Sequence, residues 1–367
     1  LPLGYVSNNN NITIRIYDND YIVQAYGTPL NPTFGLVTPT IPIGYYDSLE
    51  GLSGNALKQA VQDIIANPTI VRAHNYGDIE FILKEADKNP LNSNQVWQMY
   101  VESPRAILDY QVGSSNIGVW NREHIFPQSR GGFSGGTSST ADGIGVWLPT
   151  NADDILSGHA DAHHLRAEDG AENSTRSNRD YGSDYNGPIG SQGSWNGDVS
   201  RALFYMAVRY NGLNLVNGNP SDAIVGQIGD LATLLTWNTT DPRDDFEMNR
   251  NNYIYTWQMN RNPFIDYPNL ADYIFGANFG QQWFSTLSTQ NPIENRVAVY
   301  PNPASEYLIV SGLEGSSKVE IYTITGQLVK SQDFDNEIQI NLDLHVGMYL
   351  VKVTNGSQST TKKIIVK

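Results

Sequence analysis

The chain has 367 residues, room for two or three domains, and its 40% hydrophobic and 11% aromatic content is that of a folded protein and not of a disordered one. It has no cysteine, which excludes disulfides and thiolate metal sites, and no apolar run near the ~20 residues that a membrane span needs. A formal net charge of −15 excludes a protein that packages nucleic acid, so any chemistry on phosphates must rest on a local arginine set and a bound cation. The Leu1-Pro2-Leu3 start fits a processed leader and a trimmed chain equally.

In chain order, residues 1–43 predict an extended arm or two strands, from Ile12-Thr-Ile-Arg-Ile16 and Tyr21-Ile-Val23, followed by a proline-rich connection through Pro42. Residues 44–284 read as mainly helical. Ser53 is placed to cap a helix through Ile65, with Leu57, Ala60, Val61 and Ile64 at helical spacing. Gly197 to Tyr210 predicts an amphipathic helix with Ala202, Tyr205, Met206 and Arg209 on one face, and Leu231–Trp237 and Asp244–Trp257 predict two more. Residues 130–196 are glycine-rich and irregular. Residues 285–295 form a polar linker, marked by Ser285 to Pro292, and lysine usage changes across it: three lysines precede residue 318 and six fall from Lys318 to Lys367. Residues 296–367 alternate apolar and polar side chains between glycine turns, the pattern of a small β-sandwich.

Four of the six histidines, His124, His159, His163 and His164, fall within residues 124–164, interleaved with or close to Glu123, Asp161, Asp169, Glu172, Asn173, Arg166 and Arg176. Three schemes use such a cluster. In the first, His159, Asp161 and His163 alternate along a strand and bind zinc for a phosphoesterase. In the second, the cluster is structural, which also suits a surface protein that binds without turnover. In the third, a hard cation such as Mg²⁺ is held by a carboxylate and a neutral oxygen, a neutral imidazole takes a proton from water, and an arginine meets the developing charge. Glu123, His124 and Asn173 supply the first three groups, with Asp169 capping a short helix that carries Asn173 and Arg176 on one face.

Trp120-Asn-Arg-Glu-His-Ile-Phe-Pro127, Asp161-Ala-His-His-Leu-Arg166 and Asp169-Gly-Ala-Glu-Asn-Ser-Thr-Arg-Ser-Asn178 resemble, in order, the endonuclease I family of ββα-metal (His-Me finger) nucleases. The resemblance continues through Gly197–Tyr210, Asp244–Asn252 and Gln258–Asp266, covering roughly residues 44–280. It implies an α+β fold, a mainly helical nuclease domain around a ββα-metal core, and a divalent-metal-dependent endonuclease cleaving DNA, and RNA in some relatives, with little sequence specificity. Glu123 and Asn173 are then the ligands of Mg²⁺ (or Ca²⁺ or Mn²⁺), which stabilises the leaving group, and His124 is the general base, giving 5′-phosphate ends. Arg166 and Arg176 are expected at the phosphate, and Arg122, His163 and Arg201 along the substrate. Arg201 also fits a buried ion pair, and Gln258 and Arg261 fit the scaffold.

The tail, with Val299-Tyr-Pro-Asn-Pro303, Val319–Val329 and Gly347–Val353, resembles a type IX secretion sorting domain of Bacteroidetes. That implies a secreted or cell-surface protein whose partners are its nucleic acid substrate and an outer-membrane secretion machinery. The enzyme itself is expected to act as a monomer.

Overall fold

The computed structural model describes residues 5–8, 11–14, 16–18, 21–23, 34, 37–146, 148–285, 297–313, 315–355 and 358–367. They divide into two compact units, residues 1–283 and 284–367. Most of the expected linker lies outside the described residues.

The first unit opens with two antiparallel pairs, β1 (Tyr5–Asn8) with β2 (Asn11–Ile14) and β3 (Ile16–Asp18) with β4 (Tyr21–Val23). The next elements are α1 (Gly54–Ile65), β5 (Arg72–Ala73), α2 (Tyr76–Ala86), β6 (Gln95–Gln98), β7 (Ser103–Ala106), β8 (Trp120–His124), α3 (Gln128–Gly131), β9 (Leu148–Pro149) and β10 (Leu165–Asp169). Then come α4 (Gly170–Arg176), α5 (Asn196–Arg209), β11 (Asn214–Leu215), β12 (Gln227–Ile228), α6 (Leu231–Thr240), α7 (Asp245–Gln258), α8 (Pro263–Asp266) and α9 (Leu270–Ile274). Helix α1 begins where Ser53 suggested, although the Ser53 side chain makes no capping bond.

Helix α5 is the axis of the main core. Every residue from Gly197 to Arg209 is buried, so the expected amphipathic face is instead a helix wrapped on all sides, packed by α1, α6 and α8. A helix with no solvent face must neutralise its own charges. Arg201 does so through Glu247, at 2.6 and 2.5 Å, and Arg209 through Thr150 and the Asn151 carbonyl. A second core of Ile79, Ile82, Leu83, Trp120, Leu165 and Trp257 backs the β8–β10 pair from the α2 and α7 side. Among the described residues no helix is long and apolar enough to cross a membrane.

The second unit has a three-stranded sheet, β13 (Ala298–Tyr300), β14 (Tyr307–Ser311) and β17 (Ile338–Asn341), in the order 13-14-17. Its four-stranded sheet has β16 (Leu328–Asp335), β15 (Ser316–Thr323), β18 (Gly347–Asn355) and β19 (Gln358–Val366) in that order. Alternate residues such as Val319, Ile321, Val351, Val353, Leu308 and Val310 point into one shared core, the arrangement their alternation predicts.

Candidate active site

Strand β8 pairs antiparallel with β10, setting His124 opposite Leu165 and Glu123 opposite Arg166, and the chain runs straight from β10 into α4. Asp169 makes that turn possible: one oxygen accepts from Ala171 N (3.0 Å) and Glu172 N (3.1 Å), and the other takes Arg105 Nη2 at 3.0 Å. Gly170 is required at the junction, since a Cβ there would lie 2.6 Å from the Asn116 carbonyl oxygen.

Helix α4 lies against the face of β8 that carries Asn121 and Glu123, residues two apart and so on one side of the strand. Asn173 donates from Nδ2 to Asn121 Oδ1 (2.8 Å), and one turn later Arg176 Nη1 meets Glu123 Oε1 at 3.2 Å. The orientation of the Asn173 amide is dictated by a relay. Gln111 Nε2 donates to the Ser115 carbonyl (3.0 Å), so its Oε1 accepts from Asn121 Nδ2 (2.9 Å), and Asn121 Oδ1 is left to accept from Asn173. The Asn173 Oδ1 is therefore the free end, a neutral oxygen with no partner among the described residues.

Glu123 is 2% exposed. Tyr100 donates to its Oε1 at 2.8 Å, and Tyr100 is itself fixed by its backbone N–H on Glu168 Oε2 (2.6 Å) and by the Tyr181 hydroxyl (2.5 Å). Burial lifts the Glu123 carboxyl from an ordinary 4.5 to about 7, against the pull of Arg176 and the Tyr100 hydroxyl. A carboxylate and a neutral amide oxygen are donor types that suit a hard divalent cation that keeps several waters. The residues at hand fit Mg²⁺ or Ca²⁺ better than zinc, because no imidazole or thiolate joins them.

His124 ends β8. Its Nε2 bonds the His159 carbonyl at 2.9 Å, and a carbonyl only accepts, so the proton sits on Nε2 and the lone pair on Nδ1. The Gln128 amide reaches that Nδ1 at 3.1 Å. The ring stands in an aromatic setting, stacked on Tyr76 (5.3 Å) and parallel to His159 (5.6 Å, 6°). Burial, with His164 nearby, holds it well below the usual imidazole range, so it is neutral and basic in form at neutral pH. Arg122, two residues earlier on the same side of β8, lays its guanidinium 3.5 Å over the Tyr76 ring and has no carboxylate partner among the described residues.

The other expected contacts lie in the scaffold. Arg166 is sealed between Asp198 (2.7 Å) and Asp87 (3.2 Å), so it cannot face a phosphate. Arg176 is fully buried; besides Glu123 it bonds the His124 and Ile125 carbonyls, which fixes the end of β8, and makes it a positioning residue. His163 is buried on Asn260 and Tyr205, its ring pushed down to about 4 by burial, and cannot bind substrate. Arg201 is held in the α5 core by Glu247, the ion-pair reading of that residue. Gln258 and Arg261 are scaffold, on Asp161 (3.0 Å) and Asp266 (2.7 Å). The zinc scheme fails on geometry. His159 lies in a 3-10 turn, not a strand, with its ring on Thr137 and Tyr76, whereas Asp161 is occupied by Tyr205, Tyr210 and Gln258. Among the described residues no three His, Cys, Asp or Glu side chains converge.

Sequence reasoning missed Gln128, Tyr76, Tyr100 and the Gln111–Asn121 relay. Gln128 stood four residues past His124, just beyond the motif; the tyrosines are distant in sequence and carried no signal.

The model of the Endonuclease I family matches residues 53–191 and 187–269. The chain belongs to the endonuclease I family. Relatives include the extracellular ribonuclease of Bacillus amyloliquefaciens, 37% identical over 285 residues, which span 71% of this chain and 89% of that protein. The extracellular ribonuclease of Bacillus subtilis is 37% identical over 265 residues, 65% of this chain and 82% of that one. Residues 298–367 match the secretion system C-terminal sorting domain. A solved structure from a study of PorZ, a surface component of the type IX secretion system of Porphyromonas gingivalis, aligns with 24% of this chain and 13% of that one, at 22% identity and a TM-score of 0.20. This endonuclease I member is thus a secreted or cell-surface nuclease with a type IX sorting domain at its C-terminal end.

Proposed function

We propose that the protein is a divalent-metal-dependent endonuclease that hydrolyses RNA and DNA phosphodiesters with little sequence preference, working as a monomer, with His124 as general base. The observation that carries the reading is the His124 tautomer: a neutral ring whose Nε2–H is pinned on a carbonyl presents Nδ1 as its only basic atom. Gln128 occupies that lone pair in the resting enzyme and yields it to the attacking water when substrate enters. His124 then draws the proton from that water as its oxygen closes on phosphorus, opposite the 3′-oxygen that leaves. One fragment keeps a 5′-phosphate, and the departing 3′-oxygen of the other takes a proton from solvent water and becomes a 3′-hydroxyl. Arg122 offers its guanidinium to the phosphate, held in place by the Tyr76 ring. Arg176 keeps both ends of the device in register, through the carbonyl of His124 and the carboxylate of Glu123. Glu123 and Asn173 Oδ1 would hold a divalent cation, which supplies positive charge to the phosphoryl and leaving oxygens when bound.

The extracellular ribonuclease names of the relatives favour RNA as a substrate, and the groups assigned to the reaction act on phosphate, which DNA shares, so DNA is included. The test is digestion of RNA, single-stranded DNA and duplex DNA with Mg²⁺, Ca²⁺ or chelator, with the product ends identified. Cleavage that needs metal, leaves 5′-phosphates and falls at least 10³-fold in His124→Ala is expected. Full activity of His124→Ala, or undiminished cleavage in chelator, overturns the reading.

A further inference from the structure

His159 is the histidine of the cluster that the reaction above uses only through its backbone. Its side chain is built as carefully as that of His124. Thr137 N–H donates to Nδ1 at 3.1 Å, and a backbone N–H can only donate, so Nδ1 carries the lone pair and the proton sits on Nε2. The Thr137 hydroxyl reaches the same atom at 3.0 Å. Thr137 is itself fixed by close backbone approaches on either side. Its hydroxyl accepts from Tyr76 N (3.1 Å), and Gly77 N donates to the Ser138 carbonyl (3.1 Å). A Cβ on Gly77 would lie 2.2 Å from Ala141 N, and one on Gly136 would lie 2.4 Å from the Leu156 carbonyl oxygen. The glycine- and serine-rich stretch around Thr137 is therefore a clamp that sets one imidazole tautomer.

The resulting Nε2–H has no hydrogen-bond partner among the described residues and is not one of their buried unpartnered atoms, so it opens to solvent although the residue is only 4% exposed. A donor so fixed, in a ring so enclosed, is available only to something that arrives from solvent. Its surroundings define what that is. The ring stacks on Tyr76 at 4.2 Å, while the Arg122 guanidinium lies 3.5 Å over the same tyrosine, so the two flank it on opposite faces. The His159 ring is parallel to His124 and its own carbonyl holds the His124 Nε2–H. A cation, a neutral N–H donor and the general base thus border one aromatic ring, with no carboxylate bonded to Arg122 or to either imidazole. Burial and the Arg122 charge hold the His159 ring below its usual range, so it stays a donor by hydrogen bond and does not become a second charge.

We propose that His159 is a substrate-binding residue of this nuclease, giving its Nε2–H to a non-bridging oxygen of the phosphate under attack. The assignment rests on the nuclease reading above. The alternative is that the ring is only a stacking partner of Tyr76 and His124, and His159→Phe separates the two because phenylalanine stacks but cannot donate. A hydrogen bond to a charged oxygen predicts that His159→Phe lowers kcat/KM about 10–100-fold, and that His159→Gln, which keeps an N–H at comparable reach, recovers part of the loss. Wild-type turnover in His159→Phe overturns the proposal.

Two readouts do not depend on turnover. In a His124→Ala background, a single-stranded oligonucleotide should bind about 10-fold more weakly when His159→Phe is added; unchanged affinity overturns the proposal. In the ¹⁵N spectrum of the full chain, the His159 ring should be the Nε2–H tautomer throughout neutral pH, and an Nδ1–H tautomer would remove its basis. If the wild-type chain fails to cleave any nucleic acid, the nuclease reading fails by itself, whereas loss of the oligonucleotide effect with wild-type cleavage intact condemns only the role of His159.

Discussion

Glu123→Gln offers a sharp test of the site, because its effect on stability has a calculable pH dependence. Burial raises the Glu123 carboxyl in the folded protein from 4.5 to about 7. A carboxyl whose folded value is raised holds its proton more tightly when folded. Its contribution to stability is therefore complete below the unfolded value, and is lost as pH rises through the folded one. At ~1.36 kcal/mol per unit the full loss is about 3 kcal/mol, of which about 2.5 kcal/mol falls between pH 5 and pH 8. Glutamine keeps an acceptor for Tyr100 and Arg176 but cannot ionise. The constant cost of leaving Arg176 without its carboxylate is the same at both pH values and cancels. Urea unfolding in chelator should show the catalytic unit of the wild type losing about 2–3 kcal/mol more than Glu123→Gln over that pH range. Mg²⁺ at pH 8 should restore the wild type and leave the variant unmoved, since the cation repays the burial of the charge. Equal pH slopes in the two proteins would refute the account of Glu123 as a buried carboxyl whose charge is disfavoured until a cation meets it.

The arginines divide by role. Arg166→Ala leaves, among the described residues, buried Asp198 with only the 3.7 Å contact to Arg201 and buried Asp87 with the Arg250 ion pair alone, and should cost about 3–5 kcal/mol of stability, whereas Arg122→Ala should leave stability within ~0.5 kcal/mol and lower kcat/KM; thermal unfolding beside steady-state kinetics checks both. Gln111→Leu breaks the amide relay two hydrogen bonds from Asn173. Asn173 is then free to flip, and Mg²⁺ affinity by calorimetry should weaken about 10-fold or more, while unchanged affinity would remove Asn173 as a ligand. Gln128→Glu places a carboxylate against Nδ1 of His124, which favours the imidazolium and raises its pKa. The acid limb of the pH–rate profile should move to higher pH, and a shift to lower pH would contradict the tautomer assignment.

Much of the site was legible in the sequence, for identifiable reasons. Local features carried Glu123, His124 and the Asp169 cap, since a strand end and a helix start depend on neighbours in sequence. The β-sandwich was legible because half-buried strands alternate strictly. The helix at 76–86 went unread, although its Asn75–Asp78 capping box lies open in the sequence. The arginines misled because the sequence says where a charge is, not what meets it. Arg166 lies in a motif beside two histidines, yet its partners Asp87 and Asp198 are 79 and 32 residues away. Helix α5 was expected to carry Ala202, Tyr205, Met206 and Arg209 on one face; long-range partners such as Glu247, which holds Arg201, turn the rest of its surface into core as well.

The same burial resolves the acidity of the protein. The first unit, residues 1–283, holds 16 Lys and Arg against 30 Asp and Glu, a net of −14, so the tail is nearly neutral and the enzyme carries the charge. Seven of its arginines, at 130, 166, 176, 201, 209, 250 and 261, are buried. Near the site Arg105 is paired with Asp169, and Arg179 is spent on the Thr175 and Asp184 carbonyls. Among the described residues near the site that leaves Arg122, with the proposed cation, to meet phosphate, about one or two neutralised charges. Counterion release then predicts that log(kcat/KM) falls with log[salt] with a slope near −1 to −2, about a 4- to 16-fold loss between 50 and 200 mM. An enzyme that grips along a basic groove would show a slope of −5 or steeper, and that result would mean that cations outside the described site hold the substrate. A shallow slope suits a nuclease released outside the cell, where salt is high and contact need last only for one cleavage.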